Sequence, residues 1–249
     1  MIKVYAHRGG ALTSPENTIA AFKRAAALGA AAVECDVRLL RDGRIALFHD
    51  ATLERVTQGR GLLAGLDTDS FRRLRVLDKE PVALLDDILD LLVATPRLQC
   101  YFDLQIDSEE LVAKLVKAIA AAGVTDRSFI LTFSTRRKLL EYARRCDASI
   151  GLALMPIAPF GICRQAQALG AKSVCTGWNN EFGAHTLFWT SLALTDFTAE
   201  IARCRDAGIE VSSGIANQPH DISRLIAYGV DALWTDDVEA ALAAVRRGG

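Results

Sequence analysis

Side chains able to do chemistry occur early in the chain, beginning with His7 and Arg8. They follow residues 1–6, an apolar run that predicts a buried strand, and they precede two glycines that let the backbone turn. Ser14 and Pro15 are typical of a helix start, with Ser14 as N-cap and Pro15 at the first helical position. An imidazole moves protons near neutral pH, whereas a guanidinium and a helix N-terminus both bind phosphate-like anions. This stretch therefore indicates a candidate site for an anionic substrate.

Two carboxylates occur on the next predicted strand. Side chains alternate along a strand, so Glu34 and Asp36 share one face with Arg38. Carboxylates inside a buried sheet are costly unless a positive group neutralises them. Two interpretations follow. The acids are structural and ion-paired with Arg8 and Arg38, or they form a divalent-metal site, which the nearby His7 and Arg8 favour.

A hairpin is predicted directly after this strand, because Asp42-Gly43 is a strong turn sequence. The following segment, residues 45–50, would run antiparallel to its neighbour and so lie outside a parallel barrel. It ends with His49, which the hairpin would bring back over the two carboxylates. We therefore interpret His49 as a second functional imidazole.

Strand and helix patterns alternate through the rest of the chain, which predicts an α/β fold of the (β/α)₈ TIM-barrel type. The length of 249 residues suits one such domain over residues 1–249. Residues 51–80 are predicted to be a loop insertion near the barrel mouth, rich in glycine and arginine, with a short helix around residues 71–74. In this fold the active site forms at the carboxyl ends of the strands. That edge carries a third acid, Asp103, on the same strand face as Gln105.

Composition excludes several other classes of function. A net charge of −1 and a pI of about 6.4 provide no basic surface for nucleic acid. No apolar run is long enough to span a bilayer, so we expect no membrane insertion. The chain enters its first predicted strand almost at once, so we expect no signal peptide and a cytoplasmic location. The six cysteines show no CxxC or His-rich spacing, and most lie in apolar segments, which is typical of buried free thiols.

Five ordered motifs carry a resemblance to a known family. They are His7-Arg8-Gly9, Pro15-Glu16-Asn17-Thr18, Glu34-x-Asp36-Val37, His49-Asp50 with Thr52-Leu53-x-Arg55-x-Thr57, and Gly229-Val230-Asp231 leading to Thr235-Asp236. In this order they resemble the glycerophosphodiester phosphodiesterase family, densely up to about residue 60 and more loosely beyond it. The resemblance implies a TIM barrel and metal-dependent hydrolysis of a small phosphodiester. The simplest substrate is a glycerophosphodiester, giving glycerol 3-phosphate and an alcohol.

The same resemblance implies a role for each site residue. His7 and His49 would be the acid–base pair, and Arg8 would bind the phosphate. One divalent cation, Mg²⁺ or Ca²⁺, would be held by three carboxylates, those of Glu34, Asp36 and Asp103. Hard carboxylate oxygens suit either of these cations, which would offset the charge of a phosphodiester.

The chain departs from the family pattern on its third barrel strand. The family typically has Glu-x-Lys there, whereas this chain has Asp103-Leu104-Gln105. The change to Asp keeps the negative charge, but Gln105 does not supply the positive charge of the lysine. Loss of one such electrostatic contact costs about 10²–10³ in rate. Arg38, with the right strand parity, is a candidate to compensate for it.

A further departure lies near the seventh barrel strand, where residues 211–217 replace the family's Trp-Thr-Val-Asn run. The aromatic wall expected against the substrate is missing from that stretch. Trp178, or Trp189 from the long segment 179–194, is a candidate to replace it. A milder change puts Thr132 where the family tends to have Ser.

Three functions therefore remain open at this point. The protein is a phosphodiesterase for glycerophosphodiesters, or one for a sugar or opine-like phosphodiester or for a reaction that forms a cyclic phosphate. The third function is a catalytically silent barrel that binds a phosphodiester. His7 and His49 favour an enzyme, since a binding module needs neither as a proton shuttle. The expected partner is the small-molecule substrate, and residues 182–194 would be a lid or a contact in a homo-oligomer.

Overall fold

The computed structural model describes residues 2–178 and 183–248. Its strands are, in chain order, β1 (Lys3–Ala6), β2 (Ala32–Leu39), β3 (Ile45–Leu47), β4 (Arg75–Val76), β5 (Glu80–Pro81), β6 (Ala83–Leu84), β7 (Gln99–Leu104), β8 (Ser128–Phe133), β9 (Gly151–Met155), β10 (Ser173–Gly177), β11 (Glu210–Gly214) and β12 (Ala232–Thr235). Its α-helices are α1 (Ile19–Leu28), α2 (Thr68–Phe71), α3 (Leu85–Ala94), α4 (Glu109–Ala121), α5 (Arg137–Cys146), α6 (Ile162–Leu169), α7 (Ala184–Ala193), α8 (Phe197–Asp206), α9 (Pro219–Tyr228) and α10 (Val238–Gly248).

Parallel strands close on themselves to form the centre of the molecule. Going round the ring, the order is β1, β12, β11, β10, β9, β8, β7 and β2, and β2 pairs again with β1. Each ladder between these strands is parallel, and helices connect them along the chain. The predicted (β/α)₈ barrel is therefore confirmed. Parallel strands are buried on both faces, which explains why their sequences read as nearly continuous apolar runs.

The barrel interior changes from aromatic to polar along the strand direction. Tyr5, Tyr101 and Trp234 pack against one another inside the barrel. Side chains alternate along a strand, so the residue two positions after each of these aromatic residues also faces inward, whether it ends the strand or directly follows it. Those residues are His7, Asp103 and Asp236. The aromatic layer thus forms the base of a polar layer at the carboxyl ends of the strands.

The predicted hairpin after β2 is present. β3 pairs antiparallel with β2, with Val37 opposite Leu47, and β6 adds to the outer edge of β3. The insertion at residues 51–80 has a short helix, as predicted, although that helix lies a few residues earlier, and the insertion has more regular structure than the rest of the predicted loop. It contains α2 and β4, and it buries a small apolar cluster of its own against Phe48, including Leu53, Val56, Leu63, Phe71 and Val76. This cluster gives the hairpin a packed support.

The start of the first helix was predicted wrongly. α1 begins at Ile19 with Thr18 as N-cap, not at Pro15 with Ser14, because Asn17 has a positive φ of 57° that interrupts a helix. The segment 179–194, for which no helix was predicted, contains α7. Residues 179–182 lie outside the described part of the chain. Within the part that the structure describes, no helix combines the length and the apolar character needed to cross a membrane.

Candidate active site

His7 lies at the carboxyl end of β1 and is held by a carboxylate. Its Nδ1 atom is 2.7 Å from Oδ1 of Asp236, which directly follows β12. Asn217 donates from Nδ2 to the other oxygen of Asp236 at 2.9 Å. Although burial opposes it, the hydrogen bond with His7 holds the pKa of Asp236 below its usual range, so this carboxyl is ionised. A carboxylate at Nδ1 fixes the imidazole tautomer and leaves Nε2 for proton transfer.

Asp236 was not among the residues predicted from the sequence to act in the site. The motif Thr235-Asp236 was recognised, but no role followed from it because His7 is more than two hundred residues away in the chain. The signal that would have identified it is its place immediately after the last barrel strand. The parallel pairing of β1 with β12, with Ala6 opposite Thr235, brings the two residues together.

Glu34, Asp36 and Asp103 form an acid trio, the name used below for these three carboxylates. One oxygen from each lies within 4.8 Å of the others. The register of the β2–β7 ladder produces this arrangement, because Asp36 lies directly opposite Asp103. Burial, followed by the charges of Asp36 and Asp103, raises the pKa of Glu34 well above its usual value. Burial and the charge of Asp36 likewise raise the pKa of Asp103 to about 8.

The acid trio has oxygen atoms available for a cation. Glu34 Oε1 and Asp103 Oδ1 are both buried and have no hydrogen-bond partner among the described residues. A buried polar atom without a partner costs free energy, and two carboxylate oxygens aimed into one acidic cluster repel each other. A hard divalent cation coordinated by oxygen would relieve both effects. The donor set therefore fits such an ion.

Arg8 is the cation nearest to the acid trio. Its backbone N–H donates to Glu34 Oε2 at 2.9 Å, and its Nε lies 3.1 Å from Asp36 Oδ2. Its Nη1 donates to Glu16 at 3.2 Å. Burial lowers the pKa of Arg8, but the charges of Asp36 and Glu34 outweigh this and raise it. The two interpretations of the acids are thus compatible, since one guanidinium partly neutralises a trio that still has free oxygens.

Two amide side chains complete the surroundings of Asp36. Gln105 donates from Nε2 to Asp36 Oδ1 at 2.6 Å and to Asp103 Oδ2 at 2.7 Å. Asn17 donates from Nδ2 to Asp36 Oδ2 at 2.7 Å, and it also accepts from the Asp36 backbone N–H. Asn17 was part of a recognised motif but was not predicted as a site residue. Its positive φ turns the chain so that its amide reaches β2.

The hairpin brings the segment that carries His49 against β2, the strand of Glu34 and Asp36. The neighbouring Phe48 donates its backbone N–H to the carbonyl oxygen of Asp36 at 2.9 Å. His49 Nδ1 lies 2.6 Å from Asp50 Oδ1, so this imidazole also has a carboxylate at Nδ1. Arg38 donates from Nε to the carbonyl oxygen of His49 at 2.7 Å. This hydrogen bond is to the backbone that carries His49, and the role of Arg38 as a compensating charge stays a prediction.

The sides of the site that carry His7 and His49 are connected by ion pairs. Arg55 binds Glu16 with two nitrogens at 2.8 and 2.7 Å and also contacts Asp50. Glu16 in turn accepts from Arg8. Despite burial, the hydrogen bonds from Arg55 and His49 lower the pKa of Asp50. The network keeps the carboxylate behind His49 ionised and fixes the hairpin against the loop after β1.

Trp178 follows β10 and packs against α7. Its ring centroid lies 4.8 Å from that of His185, 5.2 Å from that of Phe188 and 5.8 Å from that of Trp189. These contacts hold Trp178 at the carboxyl edge of the barrel. Its predicted role as a wall against the substrate stays a prediction.

Comparisons with known proteins agree with this geometry. The sequence profile of the glycerophosphoryl diester phosphodiesterase family matches residues 7–240. A glycerophosphodiester phosphodiesterase from Caldanaerobacter subterraneus is 26% identical over 99% of this chain and 98% of its own length. Human glycerophosphodiester phosphodiesterase 1 is 45% identical over a shorter stretch, 29% of this chain and 22% of the relative.

Solved structures show the same fold. A putative glycerophosphoryl diester phosphodiesterase from Silicibacter pomeroyi superposes with a TM-score of 0.83 at 20% identity, over 99% of this chain and 94% of that one. An Oleispira antarctica phosphodiesterase in complex with its product sn-glycerol-3-phosphate gives 0.80 at 21% identity, over 98% and 96% of the two chains. The barrel, the ordered site residues and the profile match agree. The chain therefore belongs to the glycerophosphoryl diester phosphodiesterase family of phosphoric diester hydrolases.

Proposed function

We propose that residues 1–249 form one catalytic domain that hydrolyses a glycerophosphodiester to glycerol 3-phosphate and an alcohol, with the help of one divalent cation. The observation that carries this proposal is the pair of imidazoles, His7 and His49, each with a carboxylate at Nδ1. His7 Nε2 also lies 3.9 Å from Glu34 Oε2 of the acid trio. The product complex of the Oleispira relative supports the choice of substrate class.

The two imidazoles supply the proton transfers. Hydrolysis forms a bond between phosphorus and the oxygen of water, and it breaks the bond between phosphorus and the oxygen of the leaving alcohol. One imidazole accepts the proton that the water loses, and the other donates a proton to the leaving alkoxide. Asp236 stabilises the positive charge on His7 when that imidazole is protonated, and Asp50 does the same for His49. Because each carboxylate lies at Nδ1, the Nε2 atom of each imidazole is directed away from it.

The acid trio would hold the cation, and hard carboxylate oxygens suit Mg²⁺ or Ca²⁺. When bound, the cation offsets the negative charge of the phosphodiester and polarises its oxygens. Arg8 adds a second positive charge beside the same group. It is kept protonated by Asp36 and Glu34, so it can stabilise charge on the phosphate throughout the reaction.

Substrate recognition is assigned to Arg38, Gln105 and Trp178. Arg38 lies beside His49, Gln105 lies between Asp36 and Asp103, and Trp178 adds an aromatic surface at the same end of the barrel. The neutral Gln105 favours a second candidate function, hydrolysis of a different phosphodiester such as a sugar or opine-like one. Internal attack to form a cyclic phosphate belongs to the same alternative.

The deciding experiment measures product release from a panel of soluble phosphodiesters with Mg²⁺, with Ca²⁺ and with EDTA. Metal-dependent release of glycerol 3-phosphate that is lost in His7→Ala and in His49→Ala supports the proposal. Far-UV circular dichroism of each variant checks that the barrel still folds. Turnover of another phosphodiester alone selects the second candidate function. Cation binding without turnover of any substrate contradicts both enzymatic functions and supports a catalytically silent barrel that only binds a phosphodiester.

A further inference from the structure

A cluster of metal-ligating side chains also lies outside the acid trio. His185 is the second residue of α7, and His220 and Asp221 lie in the first turn of α9. Both helices follow barrel strands, so the cluster is at the carboxyl end of the barrel next to Trp178. We propose that His185, His220 and Asp221 form a second metal site, which takes Zn²⁺ or a similar transition-metal ion. This proposal does not depend on the function proposed above.

The candidate ligand atoms lie within 4.8 Å of one another, and both separations between an imidazole and the carboxylate suit a small metal ion. His185 Nε2 lies 3.1 Å from each carboxylate oxygen of Asp221, and His220 Nε2 lies 3.3 Å from Oδ1. With bonds of about 2.0–2.1 Å, a four-coordinate ion holds its ligand atoms roughly 3.3 Å apart. The Asp221 side chain is only 3% exposed, whereas that of His220 is 65% exposed. The cluster thus combines a buried anionic ligand with an open side through which an ion and a water ligand can enter.

The hydrogen bonds of His185 are in conflict without a cation. Trp189 donates its indole N–H to His185 Nε2 at 3.0 Å, which requires that nitrogen to carry a free lone pair. The same nitrogen faces both oxygens of Asp221, which accept hydrogen bonds and repel a lone pair. If Nε2 is protonated instead, it meets the indole N–H with a second donor. A bound metal ion uses the lone pair and the carboxylate charge together, and it releases the indole N–H of Trp189.

The chemistry of the ligands decides which ion binds here. Imidazole suits Zn²⁺, Co²⁺, Ni²⁺ and Cu²⁺, whereas Mg²⁺ and Ca²⁺ prefer carboxylate, carbonyl and water oxygens. Two imidazoles and one carboxylate therefore select against the ions that fit the acid trio. The bound ion would join the first turn of α7 to the first turn of α9. Ordinary ion pairs between the buried carboxylate and the two imidazoles would also join these helices, but more weakly. The experiment below distinguishes a metal site from such ion pairs.

Co²⁺ is the probe, because it gives visible absorption bands in low-coordinate nitrogen and oxygen sites, and it quenches tryptophan fluorescence. The titration uses protein without a histidine tag, both wild type and a Glu34→Gln variant in which the acid trio is weakened. We expect one Co²⁺ per chain to bind in Glu34→Gln, with quenching because Trp178 and Trp189 lie beside His185. Zn²⁺ displaces it and excess Mg²⁺ does not.

Ligand variants test the assignment in the Glu34→Gln background. We expect His220→Ala and His185→Gln each to weaken Co²⁺ binding by at least about tenfold, the scale seen even for residues that only support a ligand. His220 is exposed, so its replacement leaves the fold intact and keeps the test valid if His185→Gln is unstable. Co²⁺ affinity and quenching that are unchanged in His220→Ala, or no binding to Glu34→Gln, would overturn the proposal.

Discussion

The amide nitrogen of Gln105 lies 2.6 Å from Asp36 Oδ1 and makes a second hydrogen bond to the adjacent carboxylate of Asp103. A neutral donor therefore holds two acids side by side without cancelling their charge. The family that this sequence resembles typically has a lysine at this position. The acid trio consequently keeps more negative charge than it would beside an ammonium group, which strengthens its attraction for a cation.

Gln105→Lys tests this relationship. A positive charge between Asp36 and Asp103 competes with the cation, so we expect the half-saturating Mg²⁺ concentration to rise by about tenfold or more. At saturating Mg²⁺ we expect kcat to rise, because the added charge stabilises the developing negative charge on the phosphate. Steady-state kinetics at several Mg²⁺ concentrations separate the two effects. An unchanged Mg²⁺ dependence would contradict the electrostatic account.

Asp236→Asn should lower kcat by about 10²–10⁴, because the imidazole of His7 loses the carboxylate that fixes its tautomer. KM should change little, since Asp236 is behind His7 as seen from the substrate. The matched control is Asp237→Asn, because the neighbouring Asp237 caps α10 and accepts from the Ala240 N–H. Equal losses in the two variants would show that Asp236 acts only through stability.

Arg38→Ala should lower kcat, because Arg38 holds the backbone of His49 through its Nε. Arg38→Lys keeps the charge but not this planar donor, so it separates the two roles considered for Arg38. If charge compensation for Gln105 matters, Arg38→Lys retains most of the activity. If positioning matters, both variants lose it to a similar extent. Unchanged turnover in Arg38→Ala would mean that neither role exists.

Asp103 should make the stability of the metal-free protein depend on pH. Its pKa in the folded state is about 8, whereas the ordinary value is 3.8, because of burial and the charge of Asp36. Between these values the folded state binds more protons than the unfolded state. The free energy of unfolding contributed by Asp103 is therefore fully present below about pH 4 and is lost as pH rises through about 8.

Urea unfolding in EDTA between pH 5 and pH 9 measures this effect. Asp103→Asn removes the titration, so we expect its free energy of unfolding to decline less over the same range. The difference should exceed about 1 kcal/mol, the equivalent of less than one pKa unit. In wild type, saturating Mg²⁺ should also reduce the decline, because the ion neutralises the carboxylates. Parallel curves for the variant and the wild type would rule out a raised pKa for Asp103.

Much of the fold could be predicted because the information is local. Alternating strand and helix patterns indicate a (β/α)₈ barrel, and Asp42-Gly43 indicates the hairpin. The start of α1 was predicted wrongly because Asn17 leaves the helix to reach Asp36, which lies on the next strand of the barrel, β2. The packed cluster around Phe71 was missed for a similar reason. Its members are spread over residues 40–84, and no single window contains their pattern.

The sequence by itself determined which residue types were available: two histidines, three acids and an arginine in family order. Only the tertiary structure decided how they are paired. Barrel closure brings Asp236 to His7, and the register of β2 against β7 places Asp36 opposite Asp103. The same strand register places the amide of Gln105 between the carboxylates of Asp36 and Asp103. The physical reason is that a strand fixes the direction of its own side chains, whereas ladder register and barrel closure fix which side chains from distant segments meet.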